Sequence, residues 1–466
     1  MSHIQGRTLR RKISFSSNMG NSSLRLQIVL LLLCLPSFSA WGQKTPPGYR
    51  DWAATPPMGW NSWDSYGTAV RESDVKANAD FMAGHLAKYG WRYVVVDIQW
   101  YQPQARGHDY DPDAKLTMDG YGRLLPAPNR FPSGFKALAD YVHDKGLKFG
   151  IHIMRGIPRQ ATARNLPILG TKLQAQDIAE PDNHCRWNPD MWGVDTTRPG
   201  SQEYYDSIVE LYASWGVDFI KADDMGSHLY QPAEIKALHR AILQAGRPIV
   251  LSISPGPAPV QESEFFRKHS QMWRISDDFW DEWRLLRQQF AFARDWAPEI
   301  GKDNTWPDAD MLPIGRLRMA RNGGKGEASR FTPEEQRTMM NLWSIMRSPL
   351  IIGGDLPQCD SFALALLTNP EVIAVDQQSR NNRPVLTRGD ITVWTADTPD
   401  GRDRYLAVFN LGENSQDFRA AWKELGLAAE RLSLRDLWRH ENLGLTSGLQ
   451  LALAPHASAL LRVSAP

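Results

Sequence analysis

The sequence contains very little cysteine, with three in 466 residues. Cys34 lies in a segment that we expect to be removed, and the remaining Cys185 and Cys359 are far apart in the chain. Two distant thiols cannot make a disulfide framework, which excludes a small disulfide-stabilised scaffold. A single bridge between Cys185 and Cys359 stays open.

The chain also lacks net charge and long apolar runs. It has 53 Lys and Arg against 52 Asp and Glu, and this balance provides no overall field to attract nucleic acid or anionic lipid. Beyond residue 42 no stretch is long and apolar enough to span a bilayer. The length of 466 residues, 42% of them hydrophobic, predicts a globular protein with one large domain and a smaller one.

Residues 1–42 have the pattern of a secretory signal. The basic residues 10–12 precede the apolar run 28–35, which is too short to cross a membrane. Ala40 and Gly42 then supply small residues at the two positions expected for cleavage. We therefore expect cleavage after Gly42 and export to the periplasm or the medium, with no membrane anchor left, whether translation starts at Met1 or at Met19.

Residues 48–384 alternate short β-branched or aromatic runs with amphipathic segments of helical period. The predicted strands are 58–60, 93–98, 148–153, 219–222, 249–253, 273–275, 303–305 and 350–353. The predicted helices include 72–89, 135–145, 202–215, 232–244 and 333–347. Eight such units, with no Gly-x-Gly-x-x-Gly motif after the first strand, favour an α/β fold of the (β/α)8 TIM-barrel type over an open sheet.

The pattern changes at about residue 385. Short strands are predicted at 391–395, 405–410, 433–436 and 458–463, with turn residues and no long helix between them. This pattern indicates a C-terminal antiparallel β-sandwich domain over residues 385–466.

The carboxyl ends of the predicted barrel strands carry acids, tryptophans and other polar residues. In this fold the active site lies at these ends. The residues there are Trp60, Trp63, Asp97, His152, Lys221, Asp223, Ser254, Asp277, Asp278, Asp308 and Asp310. A ring of carboxylates with aromatic faces suits a polyhydroxylated ligand such as a carbohydrate.

Two of these acids fit the requirements of glycoside hydrolysis, which needs a nucleophile and a proton donor. Asp223 is the candidate nucleophile, because Lys221 points to the same side of the strand and would keep its carboxyl ionised. Asp278 is the candidate acid/base, and Arg274 is placed to hold a sugar hydroxyl.

Other interpretations are open at this point. Lys221 and Asp223 also fit a buried ion pair, and the acids at 277–278 and 308–310 also fit a divalent cation. No His or Cys motif has the spacing of a zinc site. His152 alone is more typical of a buried core or rim histidine than of a catalyst.

The segment TPPMGWNSW, residues 55–63, resembles the opening signature of glycoside hydrolase family 27, which contains α-galactosidases and α-N-acetylgalactosaminidases. The resemblance continues in the family's order through the blocks 93–100, 216–223, 273–283, 306–312, 342–355 and 369–377. It extends from about residue 50 to the C-terminus.

The resemblance implies a retaining exo-glycosidase that releases terminal α-D-galactose from oligo- or polysaccharides through a covalent glycosyl-enzyme, with no metal and no organic cofactor. It places the nucleophile on Asp223 and the acid/base on Asp278. The residues that match the family's galactose-binding positions are Trp60, Asp97, Lys221 and Arg274.

Departures from the family pattern leave the sugar open. Ile98 replaces the second of two consecutive acids, so β-L-arabinopyranose, which lacks the 6-hydroxyl arm, is an alternative substrate. His152 replaces an aromatic residue at the third strand, and the small Ser254 leaves room for the acetamido group of N-acetylgalactosamine. Met225 replaces a cysteine of the family's active-site disulfide.

A protein of another class, an exported galactoside-binding protein that no longer catalyses, is a further alternative. Both candidate acids are present together with Lys221 and Arg274, which argues against it.

Overall fold

A computed structural model describes residues 48–227 and 230–466 of the chain. The proposed signal, residues 1–42, lies outside the described residues, so its cleavage and the expected export stay predictions. Within the described part, no helix combines the length and the apolar character needed to cross a membrane. Cys185 and Cys359 are both free thiols, so no bridge joins them.

Eight parallel strands form one sheet in the order β7-β6-β5-β4-β3-β2-β1-β8. Their bounds are β1 Met58–Asn61, β2 Tyr93–Val96, β3 Lys148–Met154, β4 Phe219–Asp223, β5 Val250–Ile253, β6 Met272–Arg274, β7 Trp306–Asp308 and β8 Leu350–Ile352. Leu312, which follows β7, makes a parallel bridge with Ile352 of β8 and so joins the two ends of the sheet. The predicted (β/α)8 barrel is confirmed.

A helix follows each of the eight strands. Among the described residues, the helices of seven or more residues are α1 Glu72–Phe81, α2 Gly134–His143, α3 Ser201–Ser214, α4 Pro232–Gln244, α5 Ser263–His269, α6 Trp283–Trp296, α7 Pro333–Ile345, α8 Ser361–Thr368 and, after α8, α9 Pro370–Gln378. Helix α7 begins with a capping box, because the Thr332 hydroxyl accepts from the Glu335 N–H at 3.3 Å and the Glu335 carboxylate accepts from the Thr332 N–H at 2.8 Å.

The strand predicted at 303–305 is wrong. Lys302–Asn304 form a 3-10 turn in which Asp303 and Asn304 have φ values of 56° and 54°. These left-handed values are incompatible with an extended strand. β7 therefore begins only at Trp306, and Asp308 becomes its last residue.

The C-terminal strands form the predicted antiparallel sandwich. They are β9 Arg380–Arg388, β10 Ile391–Asp397, β11 Arg404–Asn410, β12 Gln416–Ala421, β13 Leu432–Asp436, β14 Glu441–Thr446, β15 Gly448–Leu453 and β16 Ser458–Ser464. One sheet has the order β9-β10-β11-β16-β13-β14, and β12 pairs with β15. β9 begins at Arg380, five residues before the expected boundary at 385.

The sandwich packs on the outside of the barrel, against α6 and α7. Asn341 of α7 donates from Nδ2 to the Ser458 hydroxyl and accepts from the Trp438 indole, both at 2.8 Å. The rings of Phe290 in α6 and Phe409 in β11 lie 4.9 Å apart.

Candidate active site

A cavity of about 340 Å³ opens at the carboxyl ends of the barrel strands. Its base is polar and its sides are largely aromatic. The lining residues are Trp63, Asp64, Asp97, Ile98, Tyr110, Trp187, Lys221, Asp223, Pro255, Arg274, Asp277, Asp278, Phe279, Trp280, Asp310 and Met311. The structure thus brings Asp97, Lys221, Asp223, Arg274 and Asp278, all predicted from the sequence, into one site.

Asp223 is the last residue of β4 and is buried. Its Oδ2 lies 2.9 Å from His152 Nε2, and its Oδ1 accepts from the Asp224 N–H at 2.9 Å. An ionised carboxylate only accepts hydrogen bonds, so Nε2 of His152 carries the hydrogen. Burial acts to raise the pKa of Asp223, but the bond from His152 and the charge of Lys221 outweigh it and lower the pKa to about 2.

The turn behind Asp223 is held by charges. Asp224 has a φ of 60°, and its carboxylate accepts from the guanidinium of Arg155 at 2.7 Å. Arg155 is itself buried and makes a second ion pair with Glu234 of α4, also at 2.7 Å. Because removal of one partner would leave an unpaired buried charge, this network fixes the backbone conformation next to the nucleophile candidate.

Asp97 and Lys221 form a second buried charge pair at the base. Lys221 Nζ lies 3.0 Å from Asp97 Oδ2, which also accepts from the Asn61 amide at 2.7 Å. Burial opposes the ionised form of Asp97, but Lys221 holds its pKa below the ordinary value. The pKa of Lys221 is raised in turn, because Asp97 and Asp223 outweigh the effect of burial. Both groups are therefore charged and able to bind sugar hydroxyls.

Arg274 connects two further acids of the site, Asp310 and Asp278. Its Nη2 lies 2.7 Å from Asp310 Oδ2 and 3.5 Å from Asp278 Oδ1. Asp310 also accepts from the Phe279 N–H at 2.8 Å, which fixes the segment that carries Asp278. The side chain of Asp278 is 58% exposed, whereas Asp223 is buried. The two candidate catalytic acids therefore differ in depth, one at the base and one at the mouth.

Asp64 is a functional candidate that the sequence did not reveal. Its carboxyl is buried in the cavity lining, and its Oδ2 has no hydrogen-bond partner among the described residues. Burial, together with the charge of Asp310, raises its pKa well above the ordinary value. Asp64 lies in the short helix Trp63–Tyr66 after β1, and no residue pattern there signals a carboxyl that lines the cavity.

Three residues predicted to bind substrate do not line the cavity. Trp60 is fully buried and donates from its indole to the Gly354 carbonyl at 2.9 Å. His152 lies behind Asp223. Ser254 is buried, and its neighbour Pro255 lines the cavity instead. The indole that lines the cavity after β1 is that of Trp63.

The aromatic sides of the cavity come from loops. Tyr110, Trp187 and Trp280 lie in the connections after β2, β3 and β6, and each is half-buried. A sequence pattern gives no signal for such residues, because their proximity is set only when the loops fold over the barrel. Within residues 48–227 and 230–466, no three His, Cys, Asp or Glu side chains are grouped in an arrangement suited to a metal ion.

Comparison with known proteins identifies the family. The family model described as α-galactosidase A matches residues 55–196 and 190–378, and that of the α-galactosidase C-terminal β-sandwich domain matches residues 388–463. The chain belongs to the α-galactosidase family. The expected membership of glycoside hydrolase family 27 is thereby confirmed, and the protein is a glycoside hydrolase.

The chain is similar to members of the α-galactosidase family that differ in their named activity. The α-galactosidase of Cyamopsis tetragonoloba is 30% identical over 84% of this chain and 82% of its own length. The structure of a family 27 β-L-arabinopyranosidase from Geobacillus stearothermophilus is 50% identical, with a TM-score of 0.87 over 90% of this chain and 98% of that one. A putative α-N-acetylgalactosaminidase from Bacillus halodurans is 47% identical, with a TM-score of 0.79 over 88% and 97%.

Proposed function

We propose that this family member is a retaining exo-glycosidase that releases a terminal sugar with the configuration of galactose. Asp223 is the nucleophile and Asp278 is the acid/base. The observation that carries the proposal is the pairing, in one cavity, of a buried carboxylate whose pKa is lowered to about 2 with an exposed carboxyl at the mouth. A retaining glycosidase needs these two roles on two acids.

In the first step the ionised Asp223 attacks the anomeric carbon, while Asp278 gives its proton to the departing glycosidic oxygen. The hydrogen bond from His152 and that from the Asp224 N–H orient the attacking carboxylate. In the second step Asp278 takes a proton from water, the water oxygen attacks the anomeric carbon, and Asp223 leaves as a free carboxylate. Two inversions at one carbon give net retention.

The charged groups at the base bind the sugar that is released. Asp97 and Lys221 are desolvated and oppositely charged, so they accept from and donate to hydroxyl groups of the ring. Arg274 donates from the opposite side, near Asp278. These groups are fixed by ion pairs before the sugar arrives, which limits the reorganisation needed in the transition state.

Within this class, Ile98 favours β-L-arabinopyranose. Its buried apolar side chain lines the cavity at the position where the family usually carries a second acid. A galactose 6-hydroxyl placed against it would lose a hydrogen bond, at a cost of about 1–3 kcal/mol. A pentopyranose of the same stereochemistry has no such hydroxyl.

α-D-Galactose, the sugar expected from the sequence, is the second candidate. The buried Asp64 lines the same cavity, and its carboxyl is the candidate to bind a hydroxyl in place of the missing acid. The similarity of the chain to α-galactosidases also supports this sugar.

The test compares kcat/KM for the p-nitrophenyl glycosides of β-L-arabinopyranose, α-D-galactose and N-acetyl-α-D-galactosamine. Preference for the arabinoside supports the role of Ile98, and preference for the galactoside supports Asp64. Ile98→Asp should raise the galactoside-to-arabinoside ratio of kcat/KM about tenfold through a new hydrogen bond, whereas the matched Ile98→Val should leave the ratio near that of the natural protein. A ratio unchanged in Ile98→Asp would contradict the assignment of Ile98.

Export is part of the proposal, since residues 10–12, 28–35 and 40–42 have the order of a secretory signal. N-terminal sequencing of the protein recovered outside the cytoplasm tests it. A mature N-terminus at Gln43 is expected, and an intact N-terminus inside the cell would contradict it.

A further inference from the structure

Four half-buried aromatic side chains, those of Trp63, Tyr110, Trp187 and Trp280, line the upper part of the cavity. We call them the aromatic rim. The ring centroids of Tyr110 and Trp187 lie 5.4 Å apart, and Trp63 and Tyr110 stack nearly parallel at 6.4 Å. His108 contacts the edges of both Trp63 and Trp280, at 4.9 and 5.8 Å. The rim thus continues from Trp187 to the segment that carries Asp278.

The depth of the charged groups divides the cavity into two regions. The side chains of Asp97 and Asp223 are 2% and 12% exposed, whereas the side chain of Asp278 is 58% exposed. The released sugar binds among the buried charges, and the acid/base touches the bond that is broken. The group on the other side of that bond must therefore lie outward from Asp278, at the level of the rim.

Trp280 is the rim residue nearest in sequence to the acid/base, only two positions after Asp278. The guanidinium carbon of Arg318 lies 4.6 Å from the Trp280 ring centroid and covers part of the indole. A cation over the ring stabilises its position while the indole still contributes to the cavity lining.

Arg318 is held in place by a costly arrangement. Its Nη2 lies 2.7 Å from Asp281 Oδ1, and the Asp281 side chain is completely buried. The backbone of Arg318 has a φ of 51°, a conformation that non-glycine residues rarely adopt. Buried ion pairs and strained backbone contribute little to stability, and strain of this kind concentrates at ligand sites. Arg318 is thus held firmly in its position over the Trp280 ring.

We propose that Trp280 is the platform for a second sugar ring, the one from which the terminal sugar is cleaved. The apolar face of that ring packs on the indole, while its linking oxygen meets Asp278. The substrate class is then an oligo- or polysaccharide whose terminal sugar is joined to another ring. This inference rests on the proposed function and adds to it the nature of the leaving group.

The experiment compares leaving groups with and without a ring. For each protein, kcat/KM is measured with a glycosyl fluoride and with a disaccharide of the same terminal sugar: α-D-galactosyl fluoride with melibiose, and β-L-arabinopyranosyl fluoride with a β-L-arabinopyranosyl-arabinose. Trp280→Ala should lower kcat/KM for the disaccharide on the order of tenfold and leave the fluoride within about twofold. Trp280→Phe, which keeps an aromatic face, should restore most of the disaccharide activity.

Trp192 provides a matched control. It is also half-buried and covered by an arginine, with Arg159 at 4.0 Å from its ring, but it does not line the cavity. Trp192→Ala should change both substrates by the same factor. Equal losses on both substrates in Trp280→Ala, or no loss on either, would overturn the assignment of Trp280. If the natural protein hydrolyses neither fluoride, the proposed function itself fails, and the inference fails with it.

Discussion

The cavity of the barrel and the C-terminal sandwich differ in where their charged side chains lie. In the cavity of the barrel, Asp97, Asp223 and Arg274 are buried and held in ion pairs or hydrogen bonds. In the sandwich the core consists of apolar side chains such as Leu406, and pairs such as Arg388 with Glu424 lie exposed on the surface.

This difference separates two tasks within one chain. A buried ion pair gains little stability, because desolvation offsets most of its attraction, but it fixes charge for catalysis. Packed aliphatic side chains contribute stability and carry no chemistry. Substitutions of the charged cavity residues should therefore change the rate of catalysis, and substitutions in the sandwich core should change the free energy of unfolding.

The largest effect is expected from Asp223→Ala. Without the nucleophile, kcat should fall on the order of 10⁴-fold, while the temperature of thermal unfolding stays close to that of the natural protein. Added azide should then enter the free space and give a glycosyl azide of inverted configuration, detectable by NMR. Unchanged turnover, or a glycosyl azide with the same anomeric configuration as the substrate, would contradict the assignment of the nucleophile.

Asp278→Ala should produce a smaller loss that depends on the leaving group. Disaccharide hydrolysis should fall about 10²–10⁴-fold, because loss of general acid catalysis matters most for a poor leaving group. p-Nitrophenyl glycosides should lose far less in kcat/KM. The neighbouring exposed Asp277 offers a control, and Asp277→Ala should show no such dependence on the leaving group. Equal losses on both substrate types in Asp278→Ala would exclude it as the acid.

Leu406→Ala should lower the stability of the sandwich and leave catalysis unchanged. Leu406 is fully buried in the sandwich core, and its truncation should lower the free energy of unfolding by about 2–5 kcal/mol. The kcat of the folded protein should not change, because the cavity is lined by barrel residues. Leu443→Ala, at an exposed site of the same domain, should change stability by no more than about 0.5 kcal/mol. A large loss of kcat in folded Leu406→Ala would break the separation.

The smallest effect concerns pH. The hydrogen bond from His152 and the charge of Lys221 together lower the pKa of Asp223 to about 2, so the nucleophile stays ionised well below pH 4. His152→Phe removes the hydrogen bond, the pKa of Asp223 rises, and activity is lost at a higher pH on the acid side. The acid limb of kcat/KM against pH should move up by about one unit.

The control for this shift is another histidine–aspartate pair. His143 lies 2.7 Å from Asp218, away from the cavity, and His143→Phe should leave the acid limb in place. An acid limb that does not move in His152→Phe would show that His152 does not tune the nucleophile.

Much of the barrel was predictable because its strands are short buried apolar runs of a repeated βα pattern. The helix at 232–244 was predicted to the residue, with Pro232 at its first turn. The prediction of a strand at 303–305 was wrong because no residue pattern signals the left-handed turn at Asp303 and Asn304.

The charged base of the site was predictable for a similar reason. Lys221 and Asp223 are two residues apart on one strand, so strand geometry places both side chains on the same face. Asp64 and Trp280 were missed, since only the folded loops bring them to the cavity. Trp60 was named on its position at a strand end, but the strand extends to Asn61 and the chain then turns, so the lining indole is that of Trp63.

The arrangement behind the nucleophile has a practical consequence. Cys185 is a free thiol and Met225 is a thioether, so the link that secures this turn is the contact of Arg155 with Asp224 and Glu234. Such a link forms as soon as the chain folds and needs no oxidant. The catalytic turn is thus assembled independently of the redox potential of its surroundings, and thiol reductants have no bond to break there.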